Sequence, residues 1–166
     1  DISLKIESGD FVFLTGPSGA GKSTLFKMIT AYDVPTSGKI TVGNFNLNSI
    51  LEKDLPNYRR KLGIVFQDFK LLADRTVHEN ICLPLKIQKH HESYIQKRSQ
   101  DVLELVGLSH KADQYPEFLS GGEQQRVSIA RAIIHKPKIL FADEPTANLD
   151  SSSSRLVMDI FKKLNK

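Results

Sequence analysis

Short apolar runs bounded by turn residues recur along the chain, and each indicates a buried strand. The predicted strands are residues 2–7, 11–14, 39–42, 62–66 and 139–142. Turn-forming residues at positions 8–10 and 36–38 separate the early runs from their neighbours. The pattern therefore predicts a mostly parallel central sheet with further strands beside it.

Helical periodicity fills the intervals between these strands. The predicted helices include residues 22–31, directly after a glycine-rich loop, residues 94–106, which carry one apolar stripe, and residues 151–166. Between the last two predicted strands the sequence is mainly helical. We predict a single α/β domain over residues 1–166, with a core in residues 1–68 and 138–166 and a helical lobe over about residues 69–137.

The composition fits one soluble globular domain, because 40% of the 166 residues are hydrophobic and 25% are charged. No apolar stretch reaches the roughly 20 residues that span a bilayer, so any membrane role must come through a partner. The net charge is +4, but Lys and Arg are interspersed with acidic residues. This pattern favours an ordinary solvated surface over a nucleic-acid partner.

A glycine-rich phosphate loop lies between a predicted strand and a predicted helix. The residues of this motif are Gly16, Pro17, Ser18, Gly19, Ala20, Gly21, Lys22, Ser23 and Thr24. Glycines let backbone N–H groups turn towards a polyphosphate at a helix N-terminus. Lys22 would reach the β- and γ-phosphates, Ser23 would be a Mg²⁺ ligand, and Thr24 would support the α- and β-phosphates. A plain glycine turn would not explain the Lys-Ser pair.

Two carboxylates arrive together at the end of the last predicted strand, on the edge where open α/β sheets bind ligands. Asp143 is placed to hold the metal through water, and Glu144 to polarise an attacking water. A solvated strand end is the alternative, and it is common. After a phosphate loop, however, the pair indicates ATP hydrolysis.

A helix start at Ser120 carries a capping box, with Ser120 as N-cap and Glu123 three residues later. Gly121 and Gly122 in the first turn cost about 1 kcal/mol each relative to alanine. A plain helix cap explains Ser120 and Glu123 but not the paired glycines. The glycines indicate that another molecule, such as a second phosphate, approaches the bare N–H groups.

These motifs, together with Gln67 after a strand and Asp150 after the acidic pair, resemble the ATP-binding cassette family. The resemblance implies an ABC-type P-loop core with an antiparallel β edge and a helical lobe, ATP and Mg²⁺ as cofactors, and a head-to-tail homodimer. Ser120, Gly121, Gly122 and Glu123 would then close over the ATP of the second copy. Gln67 would join Ser23 and Asp143 at Mg²⁺ and act in catalysis, Glu144 would be the catalytic base, and Asp150 would couple the two sites.

Residues 65–80, and 83–85 after them, resemble the FtsE group of bacterial cell-division cassettes, and the triplet at residues 74–76 favours this group over lipoprotein-release and macrolide-export cassettes. The resemblance implies an FtsX-like membrane subunit and a peripheral location on the cytoplasmic side of the inner membrane.

Two other functions are disfavoured. A DNA-repair ATPase with the same motifs would separate the glycine-rich loop from the helix at Ser120 by a very long coiled coil, whereas the roughly hundred residues between them here lack sustained heptads. Glu144, the predicted catalytic base, argues against a protein that binds the nucleotide only as a switch and does not hydrolyse it.

Two family elements have no counterpart here: an aromatic residue before the first strand and a histidine after the last helix. We therefore expect a fragment of a longer cassette, a natively short one being the alternative. A version extended at both ends is expected to hydrolyse ATP faster.

Overall fold

The computed structural model describes residues 2–165, so Asp1 and Lys166, the predicted bounds of the domain, lie outside the described residues. The α-helices are α1 (Lys22–Ile29), α2 (Leu55–Arg59), α3 (Val77–Ile87), α4 (Glu92–Leu105), α5 (Gly121–Ile133) and α6 (Ser151–Leu164). The strands are β1 (Thr41–Val42), β2 (Phe45–Asn46), β3 (Leu62–Val65) and β4 (Ile139–Ala142). No helix in the described range is long and apolar enough to cross a bilayer.

The strands form one parallel and one antiparallel pair. β3 and β4 are parallel, with Leu62 opposite Ile139 and Val65 opposite Ala142. Parallel strands need a long crossover, and α3, α4 and α5 supply it. β1 and β2 pair as an antiparallel hairpin. The α/β fold class with an antiparallel edge is confirmed, and the residues between β3 and β4 are helical, as predicted.

The two predicted strands nearest the start of the chain are wrong. Residues 2–7 and 11–14 pair with no strand in the described part of the chain, and the Phe13 side chain is 67% exposed. A strand requires a second strand about 4.8 Å away to share its hydrogen bonds. An apolar run records a preference for burial, but it does not specify that partner. The turn between the two runs does form, and Gly9 there has a φ of 92°.

The predicted helices form with small changes at their ends. α1 ends at Ile29 rather than at residue 31, because Ala31 takes a positive φ of 56° and reverses the chain. α6 begins at Ser151, as predicted, and ends at Leu164. α5 begins at Gly121 with Ser120 as its N-cap, which is also the predicted start.

The main core forms where α5 lies on β3. Val127, Ile129 and Ala130 of α5 and Val65 of β3 are fully buried. A Cβ added to Gly63 would lie 2.5 Å from the backbone oxygen of Ala132, so only glycine allows this close approach. α5 is thereby held directly against the strand that leads to Gln67.

Candidate nucleotide-binding site

The phosphate loop wraps backbone carbonyls around the ammonium group of Lys22. Its Nζ donates to the oxygen of Gly16 at 2.8 Å and to that of Pro17 at 3.0 Å. Gly19 and Gly21 have φ of 80° and 92°, in the left-handed region that favours glycine. These two reversals lead the chain from the loop straight into α1.

The N-terminus of α1 is left open for an anion. Its N-cap, Gly21, offers no side-chain acceptor, and no acidic residue lies in the first turn. The first-turn N–H groups therefore keep their hydrogen-bonding capacity at the positive end of the helix dipole. Ser23 and Thr24 are exposed on the same turn. This arrangement suits a phosphate group.

Aromatic and hydrogen-bond contacts place α1 beside β4. The rings of Phe26 and Phe141 meet edge to face with centroids 6.1 Å apart. The hydroxyl of Tyr58 donates to the Ile29 oxygen at the other end of α1. Burial raises the pKa of Tyr58 to about 12, so this donor stays protonated at neutral pH. Since Phe141 precedes Asp143 by two residues, the contact brings α1 towards the acidic strand end.

The carboxyl ends of β3 and β4 lie together, as expected for paired parallel strands. The N–H of Asp143 donates to the Val65 oxygen at 3.0 Å, so the acidic pair begins beside the residues that lead to Gln67. Glu144 is exposed and takes a φ of 43°, an unfavourable conformation for a residue with a side chain. The structure thus brings Gln67, Asp143 and Glu144 to one edge of the sheet.

The residues predicted as metal ligands fit Mg²⁺ by their chemistry. Ser23 and Gln67 are exposed and Asp143 is half-buried, so a hydroxyl, an amide and a carboxylate oxygen are open to solvent. Mg²⁺ prefers oxygen ligands and takes only one or two carboxylates from a protein. Within residues 2–165 no cluster of three His, Cys, Asp or Glu residues suits a metal. The donor set is therefore of the kind that holds Mg²⁺ on a phosphate.

The predicted capping box at the start of α5 is present. The Ser120 hydroxyl accepts from the Glu123 N–H at 3.3 Å, and the Glu123 carboxylate accepts from the Ser120 N–H at 2.8 Å. The hydrogen bond from the Ser120 backbone is the main reason that the pKa of Glu123 is lowered. Nζ of Lys111 lies 3.8 Å from the same carboxylate. Glu123 is thus engaged within its own chain, and its contact with a second copy's ATP stays a prediction.

Comparison with known proteins decides which phosphate-loop family this site represents. The model of the ABC transporter family matches residues 1–147. The chain belongs to the ABC transporter family.

Individual relatives agree with this family. The chain is 52% identical over 164 residues to the cell division ATP-binding protein FtsE of Bacillus subtilis, covering 99% of this chain and 72% of that protein. It is 44% identical over 166 residues to the methionine import ATP-binding protein MetN of Photorhabdus laumondii, covering 100% of this chain and 48% of that protein. A dimeric ATP-binding cassette bound to ADP and Pi in a post-hydrolysis state is similar in structure, with a TM-score of 0.87 and 41% identity over 98% of this chain and 72% of that one. The cassette is accordingly an ATPase.

The paired glycines of the cassette differ in their surroundings. A Cβ added to Gly122 would lie 2.5 Å from Oγ and 2.8 Å from Cβ of Ser153 in α6, whereas one added to Gly121 meets nothing closer than 3.9 Å. Close packing of two helices within the chain therefore explains Gly122. Gly121 is exposed, and a Cβ there would meet Leu149 and Asn148 only at ordinary contact distances, so it is the position at which another molecule has room to approach.

We expect Gly122→Ala to lower the free energy of unfolding by about 1–3 kcal/mol, because the new methyl group overlaps Ser153. Gly121→Ala is the matched control. It adds the same methyl group in the same helical turn, where alanine is favoured over glycine by about 1 kcal/mol. Urea unfolding of both variants measures the difference. An equal loss in the two variants would contradict the packing explanation.

Asp150 serves as the N-cap of α6. Its carboxylate accepts hydrogen bonds from the N–H groups of Ser152 at 2.9 Å and Ser153 at 3.0 Å. Hydrogen bonds from the side chains of Ser152 and Ser153, together with these backbone bonds, hold the pKa of Asp150 far below its usual range. Because Ser153 also contacts Gly122, the N-termini of α5 and α6 lie side by side. Asp150 and the start of α5 thus form a second group of predicted site residues, and the coupling role of Asp150 stays a prediction.

Sequence reasoning missed three polar side chains that hold the site loops. Gln125 donates to the Pro145 oxygen at 2.8 Å, directly after Glu144. Arg131 donates to backbone oxygens after Gln67, and the buried Asn80 holds the end of the same loop. Arg131 is a long cationic residue within the largely apolar stretch of residues 127–134, and that contrast is the signal that could have identified it. Gln125 lies in the polar first turns of α5, where the sequence offers no such contrast.

Proposed function

We propose that this cassette is the ATP-hydrolysing subunit of an FtsE-type membrane complex of bacterial cell division, held at the cytoplasmic face of the inner membrane by an FtsX-like integral membrane subunit. The observation that carries the proposal is the similarity to FtsE cell-division proteins, which are 44–52% identical to this chain over 71–74% of their own length. The methionine importer is also 44% identical, but the match covers only 48% of its length. Since both kinds of relative are cassettes, this difference bears on the type of membrane complex and not on ATP hydrolysis itself.

In this proposal the residues around the phosphate loop bind and orient Mg-ATP. Lys22 and the open N–H groups of α1 bind the β- and γ-phosphates. Ser23, Gln67 and Asp143 would hold Mg²⁺, which when bound would neutralise charge on the phosphate oxygens. Glu144 accepts the proton of the attacking water, and the turn behind it keeps the carboxylate at the strand end.

A second copy completes the site. The start of α5, with Ser120, Gly121, Gly122 and Glu123, closes over the γ-phosphate bound by the other copy. The exposure of Gly121 supports this arrangement, because a residue without a side chain of its own leaves the backbone N–H groups of the helix start accessible. A related cassette that is dimeric with ADP and Pi supports the homodimer. Asp150, next to this helix start, would then connect the two sites.

The loop after Gln67 supplies the surface for the membrane subunit. Residues 72–75 are exposed, and the side chain of Leu72 is 40% accessible. The buried Asn80 side chain fixes the backbone beneath, accepting from the Leu72 N–H at 2.8 Å and donating to the Arg75 oxygen at 3.1 Å. A rigid loop with an exposed apolar residue between charged ones suits a helical segment of the partner.

Purification of the full-length protein with its membrane partner tests the proposal. We expect a four-span subunit with a large extracellular loop, and no solute carried by the complex. Leu72→Asp should release this subunit while ATP turnover by the free cassette is unchanged. Leu156→Asp makes the same change at an exposed leucine of α6 and should retain it. A partner that releases lipoproteins or imports a solute would overturn the cell-division role and leave the ATPase assignment intact.

A further inference from the structure

Arg131 of α5 forms hydrogen bonds to the loop that follows Gln67. Its Nη1 donates to the Lys70 oxygen at 2.7 Å and its Nη2 to the Phe69 oxygen at 2.7 Å. The two carbonyls belong to consecutive residues, so the planar guanidinium binds them as a fork. This is the only side-chain hydrogen bonding that joins α5 to this loop within residues 2–165.

The backbone that Arg131 holds is in an unfavourable conformation. Phe69 and Lys70 have φ of 58° and 50°, and left-handed residues with side chains persist only where their surroundings enforce them. This conformation turns both carbonyls towards α5. Desolvation lowers the pKa of Arg131 in its half-buried position, but an arginine stays charged at neutral pH. The permanently charged Arg131 side chain thus holds Phe69 and Lys70 in this conformation.

The loop is held at both ends, and a backbone turn spans Gln67, because the Phe69 N–H donates to the Phe66 oxygen at 3.3 Å. Asn80 binds the backbone of Leu72, Arg75 and Thr76 at the far end. At the near end, β3 carries the chain to Val65. Gln67 and Asp68 are exposed between these points. Because Phe69 closes the turn that contains Gln67, the direction in which Gln67 leaves β3 is tied to the reversal at Phe69 and Lys70.

We propose that Arg131 is a positioning residue for Gln67, which sets the loop geometry needed for hydrolysis and links it to α5. The inference rests on the proposed role of Gln67 at the Mg-ATP site. Because Ser120 caps the start of α5, a displacement of that helix start reaches the Gln67 loop through Arg131 and the two carbonyls that it binds. Arg131 touches neither ATP nor metal in this proposal.

Steady-state ATP turnover of the full-length protein tests the proposal with Arg131→Lys. A lysine ammonium cannot reproduce the planar fork, so one charge-assisted hydrogen bond is lost and kcat is expected to fall about tenfold. The affinity for ATP should not change. Arg98→Lys is the matched control, since Arg98 also donates to backbone oxygens, at 3.1 Å to Ile134, but outside the site loops. It should leave kcat unchanged.

A double-substitution cycle separates positioning from general stabilisation. If Arg131 acts through Gln67, Arg131→Lys should lower kcat in the natural background and cause no further loss in the Gln67→Ala background. Independent, multiplicative losses would overturn the proposal. Unchanged kcat in Arg131→Lys, with a clear loss in Gln67→Ala, would overturn it and leave the role of Gln67 standing. Unchanged kcat in Gln67→Ala would overturn both.

A change on the loop side keeps the test decisive if Arg131→Lys does not fold. Lys70→Pro forbids the φ of 50°, because the proline ring holds φ near −65°. It leaves Arg131 in place and lies at an exposed position. We expect the same loss of kcat with retained ATP affinity, again absent in the Gln67→Ala background. Turnover equal to that of the natural protein would overturn the proposal.

Discussion

Glu144→Gln is expected to bind ATP with unchanged affinity and to hydrolyse it about 10²–10⁴-fold more slowly, the range attributed to a general base. Glutamine keeps the size of the side chain and one oxygen acceptor, but it cannot take a proton from water. The turn that carries residue 144 is held by backbone groups: the Ala147 N–H donates to the Glu144 oxygen at 3.1 Å, and Gln125 donates to the Pro145 oxygen. The substitution should therefore leave the local structure intact.

Phosphate release measures the rate of hydrolysis by Glu144→Gln, and equilibrium binding of labelled ATP measures its affinity. Glu52→Gln removes the same charge from an exposed position and is the control. Asp143→Asn provides a contrast, because the loss of a metal ligand should raise the Mg²⁺ concentration needed for turnover. If Glu144→Gln hydrolyses ATP as fast as the natural protein, Glu144 is not the base.

Lys22→Ala is expected to weaken ATP binding about 100-fold, corresponding to the loss of a charged hydrogen-bonding group worth about 3 kcal/mol. The ammonium also holds the loop together through the oxygens of Gly16 and Pro17. Its removal therefore takes away a phosphate contact and loosens the loop that presents the N–H groups. α1 should still form, because Tyr58 and Arg59 anchor its other end.

Titration with a fluorescent ATP analogue, with unlabelled ATP as competitor, gives the dissociation constants. Lys27→Ala is the matched control, since it removes a lysine from the last turn of the same helix. The Lys27 side chain cannot reach a phosphate bound at the first turn, so the affinity of Lys27→Ala for ATP should equal that of the natural protein. Equal weakening in both variants would point to a general charge effect and contradict the specific role of Lys22.

Sequence reasoning located the helices well and the early strands poorly. The start of α5 directly after Ser120 is predictable because a capping box involves residues only three positions apart. Residues 11–14 were predicted as a strand from their apolar character, yet they pair with none in the described range. Helix capping depends on groups that are close in sequence, whereas strand pairing depends on a second strand that comes from elsewhere in the chain.

The paired glycines show the same division. Their cost in a helix is visible in the sequence, and it predicts that another molecule approaches both glycines; at Gly122 the close neighbour is instead Ser153 of the same chain. Only the structure separates Gly122, which packs on Ser153, from Gly121, which is exposed and could carry a Cβ without overlap. The sequence does not specify which surface comes near a given glycine.

The sequence by itself determined the chemistry of the site: a phosphate loop with Lys22, an acidic pair after a strand, and a serine-capped helix, all of which rest on residue type and short spacing. The tertiary structure decided how these parts are joined, through the parallel register of β3 and β4 and the contacts that α5 makes with both site loops. The physical reason is that backbone carbonyls are the same at every residue. No sequence pattern identifies the two carbonyl groups that accept hydrogen bonds from Arg131. They are determined only by the packing of α5 on β3.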